Sequence, residues 1–363
     1  MTCFARTSAV ALITVTGAAC AARAPAPLSV VERTVRASPG DVGMSPRLNE
    51  VLDSIVRFAL ADSVAPGAAL AVGRWGRIVH LAGYGRTDWP ANTPAVVDST
   101  LFDLASLTKV VGTTTAAMML EEDSLLDLDT PVRDYLPGFD AADKASITVR
   151  MLLTHRGGLE AFAPLFLEFR GREEYLTQIN ARPLESEPGT ATVYSDWDFI
   201  LLQLVIEQIT GTTLDRFLEE RLFGPLGMRD TRYTPPESWK PRIAPTEIDT
   251  MRGGKVWGFV HDENAWALGG VAGHAGLFSS ARDLATFAHM MLAGGRYDGT
   301  DYIEPSTIAR WTAQQSETSS RALGWDTPSG RSSAGRFFSP RSFGHTGFTG
   351  TSIWMDPERG LFV

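Results

Sequence analysis

Ser106 and Lys109 stand three residues apart in the run Ser106-Leu107-Thr108-Lys109. At 3.6 residues per turn, a hydroxyl and an amine at that spacing leave a helix on the same face and can touch. A serine hydroxyl is a weak nucleophile at neutral pH. A neighbouring lysine that is partly desolvated, or close to other cations, loses its proton more readily and can serve as the base. A serine where a helix begins also turns its backbone N–H outward, where it can hold an oxyanion. The spacing alone is common, and a serine there can equally cap a helix and do nothing more. Two further runs carry reactive side chains: Tyr194-Ser195-Asp196, between the turn Glu187-Pro188-Gly189 and a helix, and His345-Thr346-Gly347, at the end of an expected strand.

Elements must bring those runs together. Ser45-Pro46 ahead of Leu48, Val51, Leu52, Ile55, Val56 and Ala59 combines an N-cap, a first-turn proline and an apolar stripe, which predicts a helix. Pro66-Gly67 opens the run Ala68 to Val72, and Gly76 separates it from Ile78 to Ala82, the pattern of an antiparallel hairpin. Ser106 to Leu120, Gln203 to Leu222 and Ala281 to Leu292 have helical patterns, and strands return only at Ser342 to Thr346, Thr351 to Met355 and Gly360 to Val363. Strands from both chain ends must pair to bury their faces, leaving the middle as an insertion. The expected fold is α+β: an antiparallel sheet built from both chain ends and flanked by helices, with an inserted, mostly helical domain. Its sheet part is expected at about 45–100 and 281–363 and its helical part at about 101–280, within one unit spanning 43–363. Leu361-Phe362-Val363 reads as the start of an apolar strand with no turn or polar tail after it. The natural chain is therefore expected to continue, and a chain ending at Val363 to leave an apolar sheet face uncovered.

The 363 residues are 44% hydrophobic and 21% charged, the composition of a globular protein with room for a sizeable core. A net charge of −9 and the lack of any basic run argue against a nucleic-acid partner. Arg6, the apolar stretch Ala9 to Val15 and the small residues Gly17-Ala18-Ala19-Cys20-Ala21-Ala22 have the layout of an export signal over residues 1–24, too short in its apolar part to span a bilayer. Either the signal is cleaved near Ala22 or Ala24, or Gly17-Ala18-Ala19-Cys20 acts as a lipobox and a lipidated Cys20 attaches the protein to a membrane. Residues 25–42 then form a tether, and the protein is expected to be exported: periplasmic, membrane-anchored or secreted. Cys3 and Cys20 are the only cysteines, so the folded part is expected to hold no disulfide, thiolate metal site or cysteine nucleophile.

Taken together and in this order, Ser106-Leu107-Thr108-Lys109, Tyr194-Ser195-Asp196 and His345-Thr346-Gly347 resemble the signatures of the serine β-lactamase and penicillin-binding-protein superfamily. The resemblance is to the branch of class C β-lactamases, D-alanyl-D-alanine carboxypeptidases and β-lactamase-like esterases. Leu152-Leu153-Thr154-His155-Arg156-Gly157-Gly158-Leu159, Gly269 to Ser279 with Asp283-Leu284, and Gly344 to Asp356 extend it over roughly Leu48 to Val363. The resemblance implies that Ser106 is the nucleophile, Lys109 its base and Tyr194 the relay of a proton to the leaving group and later from water. It also implies an oxyanion hole from the N–H groups of Ser106 and Phe348, a substrate contact at Thr346, and a strand edge that Gly347 keeps open for a substrate backbone. No cofactor is implied, and the partner is a small-molecule or cell-wall peptide substrate.

Two positions depart from the family's pattern. Asp196 replaces a common asparagine, adding a negative charge that should disfavour carboxylate ligands. His345 replaces the lysine of class C β-lactamases, exchanging a fixed charge for a group expected to titrate near neutrality. Both weaken the case for an efficient β-lactamase and leave a second function open, a non-catalytic module that binds penicillin or cell-wall peptides. Elsewhere, His261-Asp262-Glu263-Asn264 lacks the spaced partners of a metal site and reads as a rim loop. His274 reads as a buried, satisfied imidazole and His155 as a residue closing a helix. Trp257, Phe259, Trp266 and Trp325 read mainly as core. No Gly-x-Ser-x-Gly elbow, phosphate-binding loop or dinucleotide fingerprint is present.

Overall fold

The apolar stripe at Leu48, Leu52 and Val56 winds into helix α1, Leu48–Ala61, in a computed structural model that describes residues 35–329 and 332–363. Its N-cap is Arg47 rather than Ser45, whose Oγ accepts from the Arg47 N–H at 3.3 Å. The expected signal over 1–24 and most of the tether lie outside the described residues. The end of that tether is not free chain: strand β1, Val35–Arg36, pairs in parallel with Arg77 and Ile78, and the Asp41 carboxylate ties Ser38 into the turn Pro39–Val42.

Strands β2, Gly67–Arg74, and β3, Arg77–Gly85, form the expected hairpin. Trp75 and Gly76 make its two-residue turn, both at positive φ (49° and 73°), the geometry that matches strand twist. Next come β4, Leu101–Asp103, and a helix that runs through a π-turn at Lys109–Thr114 into α2, Thr115–Glu122. The run from Trp197 to Ile206 is apolar on every side but for Asp198 and Gln203, and helix α3, Asp196–Thr210, buries all of it. The expected helix over Gln203 to Leu222 is broken: Gly211, at φ 65°, caps α3, and a separate turn resumes at Leu214–Leu218. Strands β5, Arg232–Tyr233, and β6, Leu277–Ser280, precede helix α4, Ala281–Leu292. The chain closes with β7, Phe343–Thr346, β8, Ser352–Asp356, and β9, Leu361–Phe362.

The main sheet has the order β1-β3-β2-β9-β8-β7, so both ends of the chain do share it, through Phe362 opposite Gly73. It is antiparallel except at β1. The middle of the chain is mostly helical, but β4, β6 and β5 form a small second sheet, which the sequence pattern did not suggest. The fold is α+β, with one extensive apolar core running from Ile78 and Phe362 of the sheet through α2 and α3. An apolar cavity of 510 Å³ lies between α1, β2, α4 and Phe362 and reaches Leu104, Thr349 and Thr351, close to the turn that carries Ser106. No helix among the described residues is long and apolar enough to cross a membrane.

Candidate active site

Asp103, at the end of β4, shapes the turn on which Ser106 stands. Its buried carboxylate accepts the Ala105 N–H at 2.8 Å and the His261 N–H at 2.6 Å. Burial pushes its pKa up to about 6, although both N–H groups pull the other way. The turn places Ala105 at φ 45°, a left-handed conformation that costs an alanine about 1–3 kcal/mol. Ser106 follows at once, directly ahead of the first helical residue, Leu107. The strand end and turn at 347–351 clamp this segment from the other side: Thr349 Oγ1 donates to the Asp103 carbonyl at 2.7 Å and Thr351 Oγ1 to the Leu104 carbonyl at 3.0 Å. A Cβ on Gly347 would stand 2.4 Å from the Leu104 oxygen, so this close approach requires glycine there. The clamp therefore ties His345-Thr346-Gly347 to the turn that carries Ser106. The backbone N–H groups of Ser106 and Phe348 have no hydrogen-bond acceptor among the described residues.

Lys109 is fully buried in the π-turn, a local widening of the helix that is frequent at functional sites. Its Nζ lies 3.0 Å from Ser106 Oγ, 2.8 Å from Asp196 Oδ1 and 3.2 Å from the His274 carbonyl. Burial alone would strip its proton, but the Asp196 carboxylate, with Tyr194 behind it, outweighs burial and raises the pKa. Lys109 thus rests as an ammonium, the reverse of the eased deprotonation that its spacing from Ser106 suggested. Asp196 is the first residue of α3, and its charge is matched by contact with Lys109 instead of projecting into the site as an unpaired repulsion.

Tyr194 precedes α3 and is enclosed by rings and cations. Its ring centroid is 4.5 Å from that of His155 and 5.8 Å from that of His345, with Lys109 Nζ at 4.9 Å and Arg321 Cζ at 5.1 Å. His345 is buried on β7, where Nδ1 lies 2.7 Å from the Thr346 carbonyl and so carries the proton, leaving Nε2 a bare acceptor with no partner. Burial first, then Lys109 and Arg321, push its pKa down to about 3. It does not titrate near neutrality, because a charge there would be both desolvated and beside two cations. The side chain of Thr346 is exposed, and Phe348 is 86% exposed beside His261 at 5.5 Å between ring centroids. Phe348 and His261 line a recess of 390 Å³ with Asp103 and Thr349.

Residues 52–363 match the family described as Beta-lactamase. The chain belongs to the beta-lactamase family. A protein of Escherichia coli (strain K12) named "Putative D-alanyl-D-alanine carboxypeptidase" is 36% identical over 296 residues, covering 73% of this chain and 68% of that protein. Among solved structures, a class C beta-lactamase aligns with a TM-score of 0.73 at 18% identity, over 87% of this chain and 90% of its own. A penicillin-binding protein homologue from Caulobacter crescentus aligns with a TM-score of 0.72 at 23% identity, over 90% and 91%. At such identities the likeness of the two structures speaks for the fold.

In this member of the beta-lactamase family, Ser106, Lys109, Tyr194, Asp196 and His345 converge, and Thr346, Gly347 and Phe348 adjoin them through the clamp. Two partners, Asp198 and Arg321, escaped the sequence, and a third, Asp262, was read there only as part of a rim loop. Asp198 meets His155 Nδ1 at 3.0 Å beneath Tyr194, and burial sends the two pKa values in opposite directions, the carboxyl well up and the imidazole well down, each towards its neutral form. The position of Asp198, two residues beyond Asp196 in the first turn of α3, was its one visible signal. Asp262 caps the short helix Glu263–Ala267 and meets His274 Nε2 at 2.8 Å. Ligand atoms of Asp196, Asp262 and His274 lie within 4.8 Å of one another, yet the Lys109 ammonium already supplies the positive charge against Asp196. Arg321 sits in a loop with no motif to mark it. Of the aromatic residues, Trp325 is core, packed at 5.1 Å on Phe343, whereas Trp266 and Phe259 lie under Arg170 and Arg252.

Proposed function

We propose that this chain is a serine hydrolase that forms an acyl-enzyme on Ser106 and acts on small amides or esters: D-alanyl peptides, β-lactams or short-chain esters. The observation that carries the reading is the 3.0 Å contact between Ser106 Oγ and the buried Nζ of Lys109. In the first half-reaction Ser106 Oγ attacks the carbonyl carbon, its proton passes to Lys109, and Tyr194 delivers a proton to the leaving nitrogen or oxygen. The free N–H groups of Ser106 and Phe348 hold the oxyanion. Water then releases the acyl group by the same route in reverse. Lys109 must first surrender the proton that Asp196 holds on it, so the reactive form is a minor one at neutral pH. The name of the E. coli relative supports a D-alanyl peptide as substrate, and the export signal read at the N-terminus would bring the protein to such peptides.

Incubation with a fluorescent penicillin and with a fluorophosphonate, using Ser106→Ala as control, tests the reading. A covalent adduct on the wild type that is absent from the variant is expected. No adduct with either probe would overturn it. The charged resting state of Lys109 favours one second reading, a module that binds or traps cell-wall peptides without turnover. Multiple turnovers of p-nitrophenyl acetate would exclude that reading, and a stable adduct without product would support it.

A further inference from the structure

Tyr194 is gripped on both sides by one residue. The His155 carbonyl accepts the Val193 N–H at 2.9 Å, and His155 Nδ1 accepts the Ser195 N–H at 3.2 Å. The rings of His155 and Tyr194 pack with 4.5 Å between centroids. His155 stands just beyond the short helix Val149–Leu153 at φ 56°, in the left-handed region that a histidine rarely adopts, and so presents its carbonyl and its ring to the same stretch of chain. Ser195 is fixed again by its own hydroxyl, which donates to the Glu160 carbonyl at 2.7 Å.

The Ser195 N–H decides where the ring keeps its proton. It donates to Nδ1, so Nδ1 is an acceptor and is bare. Asp198 Oδ2 lies 3.0 Å from the same nitrogen. Two bare acceptors would repel one another at that distance, so the proton between them belongs to Asp198, and Nδ1 takes two donors. The other carboxyl oxygen agrees. Oδ1 is buried and has no hydrogen-bond partner, a place where an ionised carboxylate would leave charge unmet. Nε2 has no partner in either tautomer and does not discriminate between them. The charged and titratable groups around the pair are Lys109, Asp196, Tyr194, Arg321 and His345. Burial, then Asp196, pushes the Asp198 pKa well up against the pull of Lys109, while burial, then Arg321 and Lys109, pushes the imidazole well down.

We propose that Asp198 is held as a neutral carboxylic acid whose O–H donates to His155 Nδ1, and that the two residues position Tyr194 by fixing the chain on either side of it. They are positioning residues, and neither touches the reacting atoms. An ionised Asp198 would instead draw the ring proton to Nδ1, turn a donor towards the Ser195 N–H and release that side of the grip. This role rests on the acyl-enzyme reading above, in which Tyr194 moves the proton, and adds to it what holds the phenol in place.

Asp198→Asn separates the two charge states, because its amide N–H can donate to Nδ1 as the acid does and cannot replace a carboxylate. The test measures kcat and KM for a short-chain alkyl ester, whose alkoxide must take a proton as it leaves. Asp198→Asn is expected to stay within about threefold of the wild type, and Asp198→Ala to lose about 10- to 100-fold in kcat with KM little changed, since an ångström of misplacement can cost that much. A loss in Asp198→Asn as large as that in Asp198→Ala would mean that Asp198 works as a carboxylate. An unchanged kcat in Asp198→Ala would mean that the pair does not hold Tyr194. Either result overturns the proposal. Should Asp198→Ala fail to fold, Asp198→Asn and the nitrogen NMR shifts of the His155 ring decide. A bare Nδ1 and a protonated Nε2 at neutral pH are expected in the wild type and in Asp198→Asn, and a protonated Nδ1 overturns the proposal. Labelling of Ser106 by a fluorophosphonate in the same samples separates the two levels. A labelled wild type with a protonated Nδ1 refutes the role of Asp198 alone, and an unlabelled wild type refutes the acyl-enzyme reading beneath it.

Discussion

An asparagine at position 196 would offer Lys109 a dipole, whereas the aspartate offers a full negative charge at 2.8 Å in a site from which water is excluded around the amine. An opposite charge at that range favours the ionised form by about 1–3 pH units. The sign of the consequence follows. If only the neutral amine accepts the Ser106 proton, activity rises with pH as Lys109 deprotonates, and the raised pKa moves that rise to higher pH. Asp196→Asn should therefore move the rising limb of kcat/KM against pH to lower pH by about 1–3 units, increasing activity at neutrality. A limb that stays in place would show that Lys109 is not the titrating base. The Ser106–Lys109 contact was legible in the sequence because one helical turn fixes it. Tyr194 and His345 could be named only through resemblance. The charge states were not legible at all, since they depend on Asp196, Arg321 and burial that only the folded chain brings together.

The Ser106 turn and the β7 edge are far apart in the chain, and their alignment depends on the hydroxyls of Thr349 and Thr351 and on the missing side chain of Gly347. Gly347→Ala would put a methyl 2.4 Å from the Leu104 carbonyl oxygen and 2.2 Å from Thr351 Oγ1, a collision with backbone that rotation of a side chain cannot relieve. The strand end must then move off the turn by a sizeable fraction of an ångström, taking the Phe348 N–H with it. A loss of about 100-fold in the acylation rate of Ser106 is expected, since a misplacement of about 1 Å can cost that much. Stopped-flow acylation by a fluorogenic ester measures it, and an unchanged rate would show that the clamp does not set the oxyanion hole. Elements whose faces alternate in a simple way were legible: the β2–β3 hairpin, α4 and the three closing strands lie where the pattern put them. The break after Thr210 was not read, although Gly211 marked it. The π-turn at Lys109–Thr114 left no trace in the residue pattern, because an i to i+5 turn buries the same kinds of residues as an α-turn.

Among the described residues, burial shifts several histidines and carboxyls towards their neutral forms, in opposite directions of pKa. His345 is pushed down to about 3 and His289 to about 4, chiefly by burial, while Asp103 and Asp283 are pushed up to about 6 by the same cause. The unfolded chain protonates its histidines below about pH 6.5 and its aspartates only near 3.9. Each buried histidine therefore contributes stability that is present above pH 6.5 and lost as pH falls towards 3 to 4. Each buried aspartate contributes stability that is present below about pH 4 and lost as pH rises through 6. Between pH 6 and 4 the two slopes oppose each other, each on the order of 1.4 kcal/mol per pH unit per group. These groups should leave the stability of the wild type nearly flat across that window. Asp283→Asn breaks the balance, because the amide can still accept from Asp230 N and Thr231 Oγ1 but can no longer take up a proton. Relative to the wild type, the variant should lose on the order of 1–3 kcal/mol between pH 6 and 4, read as a Tm that falls more steeply on acidification. Parallel Tm curves for the two proteins would mean that Asp283 is ionised in the folded state, and that buried carboxyls do not offset the histidines.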